Sequence, residues 1–453
     1  MSTAFQIRCS HVLLDADSFI SPGYVTCRDG TIVDVSQHCN GPVDLDLCDG
    51  LLMPGLINAH THLEFSDLPI PFPPGVSFPQ WIGSVLAHRR TGDAQSQAQR
   101  LQIAYQQGLA ECLTSGTAVV ADIVTPPWTP NLLAVPSATV DALLPKDLRS
   151  FLRSLSPASR ASAARHLAPH HRAPHVIACY EQLGLTQDRM EASQTWLDER
   201  LSASHLSASS RLIGEAVSPH APYSMHPELF TSAVRRAKQH RLPLVMHLAE
   251  SAAEREWLDQ NTGPFREMLE RFQDGRPMQP PNLNQLIIQL AVAPRSLIIH
   301  GNYLRNNEIA TIASVGKTMS VVYCPRTHQH FGHQAYPWEA LNESGVRVVL
   351  GTDSRSTNPD LSIWKEAATV CKLYENVSPS RAFRAITSDA AEALGIADRF
   401  GSITINRLAA FAFLPMNHQG SSSQNVSMDN MLETAFYMNE SPWHLSLISD
   451  EPA

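Results

Sequence analysis

The 453-residue chain has little charge, few cysteines and no long apolar run. Charged residues make up 17% and hydrophobic ones 43%, which excludes a disordered polyelectrolyte and leaves enough apolar mass for a large core. Lysine and arginine number 34 against 43 acidic residues, a net charge of -9, so there is no general positive field to hold nucleic acid. The eight cysteines are scattered with no Cys-x-x-Cys pair, which argues against a disulfide framework and for reduced thiols. No stretch of about 18 apolar residues occurs, so no membrane span is expected. The first residues lack a basic segment followed by an apolar one; no signal peptide is expected, and a cytoplasmic location is.

What is present has two textures. Residues 1–50 read as short strands. Phe5-Gln6-Ile7-Arg8 and Tyr24-Val25-Thr26-Cys27 are β-like, and Asp29-Gly30 marks a hairpin turn before Thr31-Ile32-Val33. From residue 51 onward, apolar runs alternate with helical stretches. Eight such runs begin at Leu56, Thr117, Val176, Leu212, Leu244, Ser296, Met319 and Val346. Their unbroken apolar character suits strands buried on both faces, and eight alternating units predict a (β/α)8 barrel, an α/β fold, over residues 51–400. Residues 140–174 read as an insertion and 260–283 as a long loop. Residues 401–415 are expected to rejoin the N-terminal segment in a composite β-sandwich module, with candidate strands at Ile403-Thr404-Ile405 and Ala409 to Phe413. Residues 416–453 read as a tail that is partly disordered or wraps the surface.

In such barrels the chemistry collects at the C-terminal ends of the strands. The first strand ends in His60-Thr61-His62. Residues i and i+2 of a strand face the same side, so both imidazoles can meet one ion. The fifth strand ends in His247 and the eighth in Gly351-Thr352-Asp353. Three imidazoles and a carboxylate suit zinc, with iron(II) as the second choice. Each residue alone has an ordinary explanation: a satisfied core histidine, or an aspartate capping a helix. The joint order, each residue at the end of its own strand, is what carries the reading. Glu250, in His-Leu-Ala-Glu, stands near enough to move protons for a water at that ion. His300, ending the sixth strand, is placed to orient that water or to stabilise developing charge. His220, after the fourth strand, is placed to hydrogen-bond a substrate or to lie beside the metal. His328, His330 and His333 form a further cluster after the seventh strand.

The segments PGLINAHTHLEFS, SPHAPYS, MHLAES, IIHGNYL and LGTDSRSTNPDLS resemble, in order, the signature segments of the amidohydrolase superfamily, in its deaminase and chlorohydrolase branch. The resemblance implies one divalent metal bound by His60, His62, His247 and Asp353, with Glu250 and His300 catalytic and His220 on the substrate. Binuclear relatives carry a bridging lysine at the end of the fourth strand; here Glu215-Ala216-Val217 stands there, hence one metal. Relatives often carry a glycine-rich, aspartate-bearing strand near the C-terminus, and Gly401 to Ala409 departs from it. His-Thr-His-Leu-Glu with Glu64, Phe78-Pro79-Gln80-Trp81-Ile82, and the Val176 to Glu181 stretch are similar to the aminodeoxyfutalosine deaminases. That likeness implies a small-molecule substrate, an aminopurine nucleoside bearing a benzoate, with Glu64, Arg326 and Arg355 in substrate contact. It leaves a homodimer open. The competing expectations are a chlorohydrolase or cyclic amidase on the same site, and a non-catalytic binding protein on a degenerate barrel.

Overall fold

A computed structural model describes residues 4–47, 49–134, 174–202, 211–271, 278–416, 427–438 and 440–447. The expected insertion at 140–174 lies almost wholly outside these residues.

Eight parallel strands form the barrel, each hydrogen-bonded to the next in chain order: Leu56–Thr61, Thr117–Val124, His175–Gln182, Leu212–Pro219, Leu244–Leu248, Ser296–His300, Met319–Tyr323 and Arg347–Leu350. The alternation of a strand divides their side chains between two cores. Ile57, Ala59, Val119, Ala121, Ile177, Cys179, Val245, Leu297, Ile299, Val322 and Val349 fill the interior cluster. The intervening Leu56, Val120, Ala178, Met246, Ile298, Val321 and Val348 pack outward with residues of the surrounding helices. Both sets are apolar, and for that reason the strands read as continuous runs. The helix Pro227–His240 shows the matching pattern. Proline occupies its first turn, Leu229, Phe230, Ala233 and Ala237 are buried, and the chain stops it with left-handed Arg241.

The barrel closes between its first and eighth strands. Thr61 bridges Asp353, and the amides of Thr352 and Asp353 both donate to the His60 carbonyl at 3.0 and 3.1 Å. Gly351 permits this approach, since a Cβ there would lie 2.8 Å from the His60 Cβ and 2.9 Å from its carbonyl oxygen. Asn58 ties the seam from within: its amide nitrogen donates to Thr352 Oγ1 at 2.7 Å, and its side-chain oxygen accepts from the Thr352 amide at 3.1 Å.

The β module has two sheets. One orders Thr31–Ser36, Gly23–Arg28, Phe5–Cys9 and Leu45–Asp46, with Asp29 and Gly30 at φ 51° and 70° in the turn, as an Asp-Gly hairpin demands. The other orders Trp443–Ser446, Ala410–Pro415, Gly50–Pro54, His11–Leu13 and Phe19–Ile20. Three expectations change here. Ile403-Thr404-Ile405 is not a strand; it runs as irregular chain, with the Ile403 amide on the Leu14 carbonyl. The tail supplies the helix Met428–Tyr437 and an edge strand, Trp443–Ser446, that pairs antiparallel with Ala410–Pro415 and buries Trp443 and Leu445. The loop at 260–283 contains the helix Pro264–Glu270, started by Gly263 and Pro264. Among the described residues no helix is long and apolar enough to cross a membrane.

Candidate active site

The C-terminal ends of the strands bring the expected ligands together. Nε2 of His60 and Nε2 of His62 each lie 3.8 Å from Asp353 Oδ1. The ring of His247 stands 4.9 Å from that of His60 and 5.5 Å from that of His62. Ligand atoms of His60, His62 and Asp353 fall within 4.8 Å of one another, as do those of His60, His247 and His300. Both ring nitrogens of His60 and Nδ1 of His62 are buried without a hydrogen-bond partner. Burial and the neighbouring rings hold His60 and His62 well below the usual histidine range, and burial brings His247 down to about 4. The rings are therefore neutral, the state that ligates. Burial pushes the Asp353 carboxyl up to about 7, against the hydrogen bond from Thr357. Neutral imidazoles around a desolvated carboxylate form a donor set that fits a divalent ion.

Neighbouring groups aim the ligands. His247 Nδ1 lies 3.3 Å from the His220 carbonyl, which would leave Nε2 as the nitrogen open to an ion. Thr357 Oγ1 donates to Asp353 Oδ2 at 3.2 Å, and Thr61 Oγ1 to the Asp353 carbonyl at 2.9 Å. Ala249, His300 and Asp353 adopt left-handed backbone, φ 53°, 68° and 55°, where the fifth, sixth and eighth strands turn out of the barrel. Such conformations cost about 1–3 kcal/mol each and gather at functional sites.

Glu250 follows the Ala249 turn and lies 3.3 Å from His300 Nε2 through Oε1. It is 4% exposed, and burial, together with the charges of Asp353 and Glu254, raises its carboxyl well above the usual range. Its backbone is pinned twice. Glu254 accepts the amides of Ala249 and Glu250 at 3.1 and 2.7 Å, and Asn302 Nδ2 donates to the Glu250 carbonyl at 2.9 Å. His328 in turn holds Asn302, with Nδ1 3.2 Å from Oδ1, and His333 Nδ1 lies 3.2 Å from the Tyr303 hydroxyl. Of the histidine cluster after the seventh strand, these two therefore support the site from behind, and His330 packs beside Phe331.

A cavity of about 680 Å³ opens above this floor. His62, His220, His247, Glu250, His300 and Asp353 form its base, and Phe78, Trp81, Ile82, Leu86, Leu185 and Met268 line its apolar outer half. His220 Nδ1 is 2.6 Å from Ser224 Oγ, and its other nitrogen faces the cavity side, 3.9 Å from Glu181.

Three residues expected on the substrate are placed otherwise. Arg326 donates to Glu366 at 2.7 Å and to Asp360 at 2.8 Å, and it also meets the carbonyls of Asp360 and Ser362. Arg355 donates to Glu111 at 2.9 Å and to the carbonyls of Leu68 and Pro69. Both are braces, outside the cavity lining: acids and carbonyls close in the fold hold their guanidinium groups, although the buried Nε of Arg355 has no partner. Glu64 grips Arg89 from behind and is not itself in the lining. The cavity cations are instead Arg89, Arg189 and Arg271, which sequence reading passed over. It also passed over Asp122, whose carboxylate fixes the turn after His62 by accepting the Leu63 amide at 2.8 Å and the Tyr105 hydroxyl at 2.7 Å. A lone aspartate within the apolar run Thr117–Val124 was the available signal.

The chain is 25% identical over 412 residues to the 5-methylthioadenosine/S-adenosylhomocysteine deaminase of Syntrophobacter fumaroxidans, covering 86% of this chain and 78% of that one. It is 25% identical over 342 residues to the aminodeoxyfutalosine deaminase of Nitratiruptor sp., covering 76% and 72%. The crystal structure of Helicobacter pylori aminofutalosine deaminase superposes with a TM-score of 0.73 at 21% identity over 97% of both chains, a likeness of fold. Residues 51–444 match the Amidohydrolase family, and the chain belongs to it.

Proposed function

We propose that the chain is a hydrolytic deaminase of adenosine-like nucleosides. One divalent ion would be held by His60, His62, His247 and Asp353, zinc first and iron(II) second. The observation that carries the reading is the pairing of that buried donor set with a protonatable Glu250 at the base of a mostly apolar cavity. When bound, the ion supplies Lewis acidity that makes water a nucleophile near neutral pH.

The chain's own groups do the rest. Glu250 accepts a proton from the attacking water through a carboxylate oxygen and delivers it to the ring nitrogen beside the amino-bearing carbon. The carbon–oxygen bond forms as the ring double bond opens. His300, 3.3 Å from Glu250 Oε1, holds that carboxylate in line and faces the charge that develops on the new oxygen. Glu250 then moves the hydroxyl proton to the amino group; the carbon–nitrogen bond breaks and ammonia leaves. The carboxyl suits both tasks because burial has raised its proton affinity. Phe78, Trp81 and Met268 favour an apolar extension on the sugar side, consistent with an aryl-bearing nucleoside such as aminodeoxyfutalosine. Ammonia release from adenosine, 5′-methylthioadenosine, S-adenosylhomocysteine and aminodeoxyfutalosine tests the proposal. Turnover of at least one is expected. No ammonia from any of them, with the ion bound, overturns it.

A further inference from the structure

Glu181 stands apart from the machinery described above. It is the second-last residue of the third barrel strand, two positions beyond the interior Cys179, so the alternation of the strand turns it toward the cavity, whose wall it joins. It is 3% exposed, and neither carboxylate oxygen has a hydrogen-bond partner. Its neighbours are Arg89 Nη2 and His220 Nε2, each at 3.9 Å. Arg89 is already committed, its Nε and Nη2 both on Glu64. Two buried carboxylates thus share one guanidinium, and the one facing the cavity is left short of donors. Burial pushes it up to about 7, with Arg89 opposing and Glu64 adding to the rise. A buried acceptor without donors is costly, and a ligand that supplies them recovers that cost.

The chemistry of the missing donors can be narrowed. A second cation fits poorly. His247 belongs to the first ion's donor set, which leaves only Glu181 and His220, and the Arg89 guanidinium, 3.9 Å from Glu181, would repel the ion. Neutral donors fit. A carboxylate with both oxygens free accepts two adjacent hydroxyls at once, the way an acidic side chain takes the hydroxyls of a ribose. The position agrees. The His220 ring is 4.9 Å from the His247 ring, and Glu181 lies beyond His220, one layer outward from the reacting centre and next to Arg89. For a base seated over the ligands, that layer receives the group attached to the base.

We infer that Glu181, positioned by the Arg89–Glu64 pair, accepts the vicinal hydroxyls of the substrate's ribose and makes the site selective for ribonucleosides over deoxyribonucleosides. The inference rests on the deaminase reading and adds the sugar specificity.

The test compares adenosine, 2′-deoxyadenosine and 3′-deoxyadenosine on the metal-loaded wild type and on Glu181→Ala, by kcat/KM for ammonia release. Each missing hydroxyl should cost the wild type roughly 10- to 100-fold, the range of a hydrogen bond to a charged group. Glu181→Ala should bring adenosine down to the deoxynucleosides while moving those less than about 3-fold. Equal losses on all three substrates, or a wild type indifferent to the hydroxyls, overturn the inference and leave the deaminase reading standing. Two bound equivalents of zinc in the wild type and one in Glu181→Ala would also overturn it, in favour of a cation. A wild type that releases no ammonia from any ribonucleoside overturns the deaminase reading and the inference with it. Should Glu181→Ala fail to fold, Glu181→Gln, which keeps the shape and loses the charge and one acceptor oxygen, takes its place: a narrowed gap between adenosine and the deoxynucleosides is expected, and an unchanged gap overturns the inference.

Discussion

Around His62 and Glu181, buried polar atoms of the cavity wall have few or no hydrogen-bond partners, whereas around Arg326 charge is met by charge. Both regions lie at or just beyond the C-terminal ends of barrel strands. Both are rich in the residue types that bind ligands, and the first reading of the chain placed substrate contacts in both. The difference is the state of the hydrogen bonds. Arg326 sits against Glu366, whose side chain is fully buried, and against Asp360, and its amide also bonds Glu366. A satisfied network stabilises a loop; an unsatisfied one is left for a ligand to complete.

The sharpest way to break that comparison is at Glu250. Glu250→Gln keeps size and shape but removes the proton carrier. A fall of about 10²- to 10⁴-fold in kcat is expected, with unfolding temperature and metal content unchanged. Activity retained within a few-fold would remove Glu250 from the mechanism.

Arg326→Met tests the opposite side. It strands the buried Glu366 carboxylate, a loss of about 3–5 kcal/mol in unfolding free energy, while KM of the folded enzyme stays near the wild-type value. A raised KM without loss of stability would return Arg326 to the substrate. The same pair sets an acid limit. Burial opposes ionisation of Asp360, but Arg326 and Lys365 bring its carboxyl down to about 2, below the usual value of an unfolded chain. A depressed folded-state value adds stability above the unfolded pKa of about 3.9, and the gain is lost as pH falls from about 4 toward 2. Denaturant melts across that window should show the loss, and it should flatten in Arg326→Met.

The smallest effect concerns the ion. Zinc added to metal-free protein at 100 times its dissociation constant should raise stability by about 2.7 kcal/mol, read by thermal unfolding without any activity assay. Asp353→Asn should abolish that rise. A rise of equal size in the variant would mean the ion sits elsewhere.

How much could be read in advance depended on how local each signal was. All eight barrel strands were legible, because burial on both faces leaves an apolar run with its own boundaries. Asp29-Gly30 was legible because few residues tolerate two positive φ angles in succession. The strand Trp443–Ser446 was not. Its four residues become a strand only beside Ala410–Pro415. The helix Pro264–Glu270 hid behind its own starting signal, since Gly263-Pro264 also reads as a loop. The fates of Arg326 and Arg355 were beyond reach, because their acids lie 40 and 244 positions away along the chain.

His60-Thr61-His62, His247, Glu250 and Asp353 were specified by residue type, order and place at the ends of strands, and any chain with these runs must carry them to one end of a barrel. The sequence by itself therefore settled the fold class and the set of candidate ligands. Which polar groups are spent on the protein and which are left for a ligand was decided only in three dimensions. That choice depends on distances between residues remote in sequence: Glu64 closing on Arg89, Glu366 on Arg326, and no hydrogen bond closing on Glu181. A hydrogen bond falls off within a fraction of an ångström, and no periodicity of the chain encodes a separation that fine.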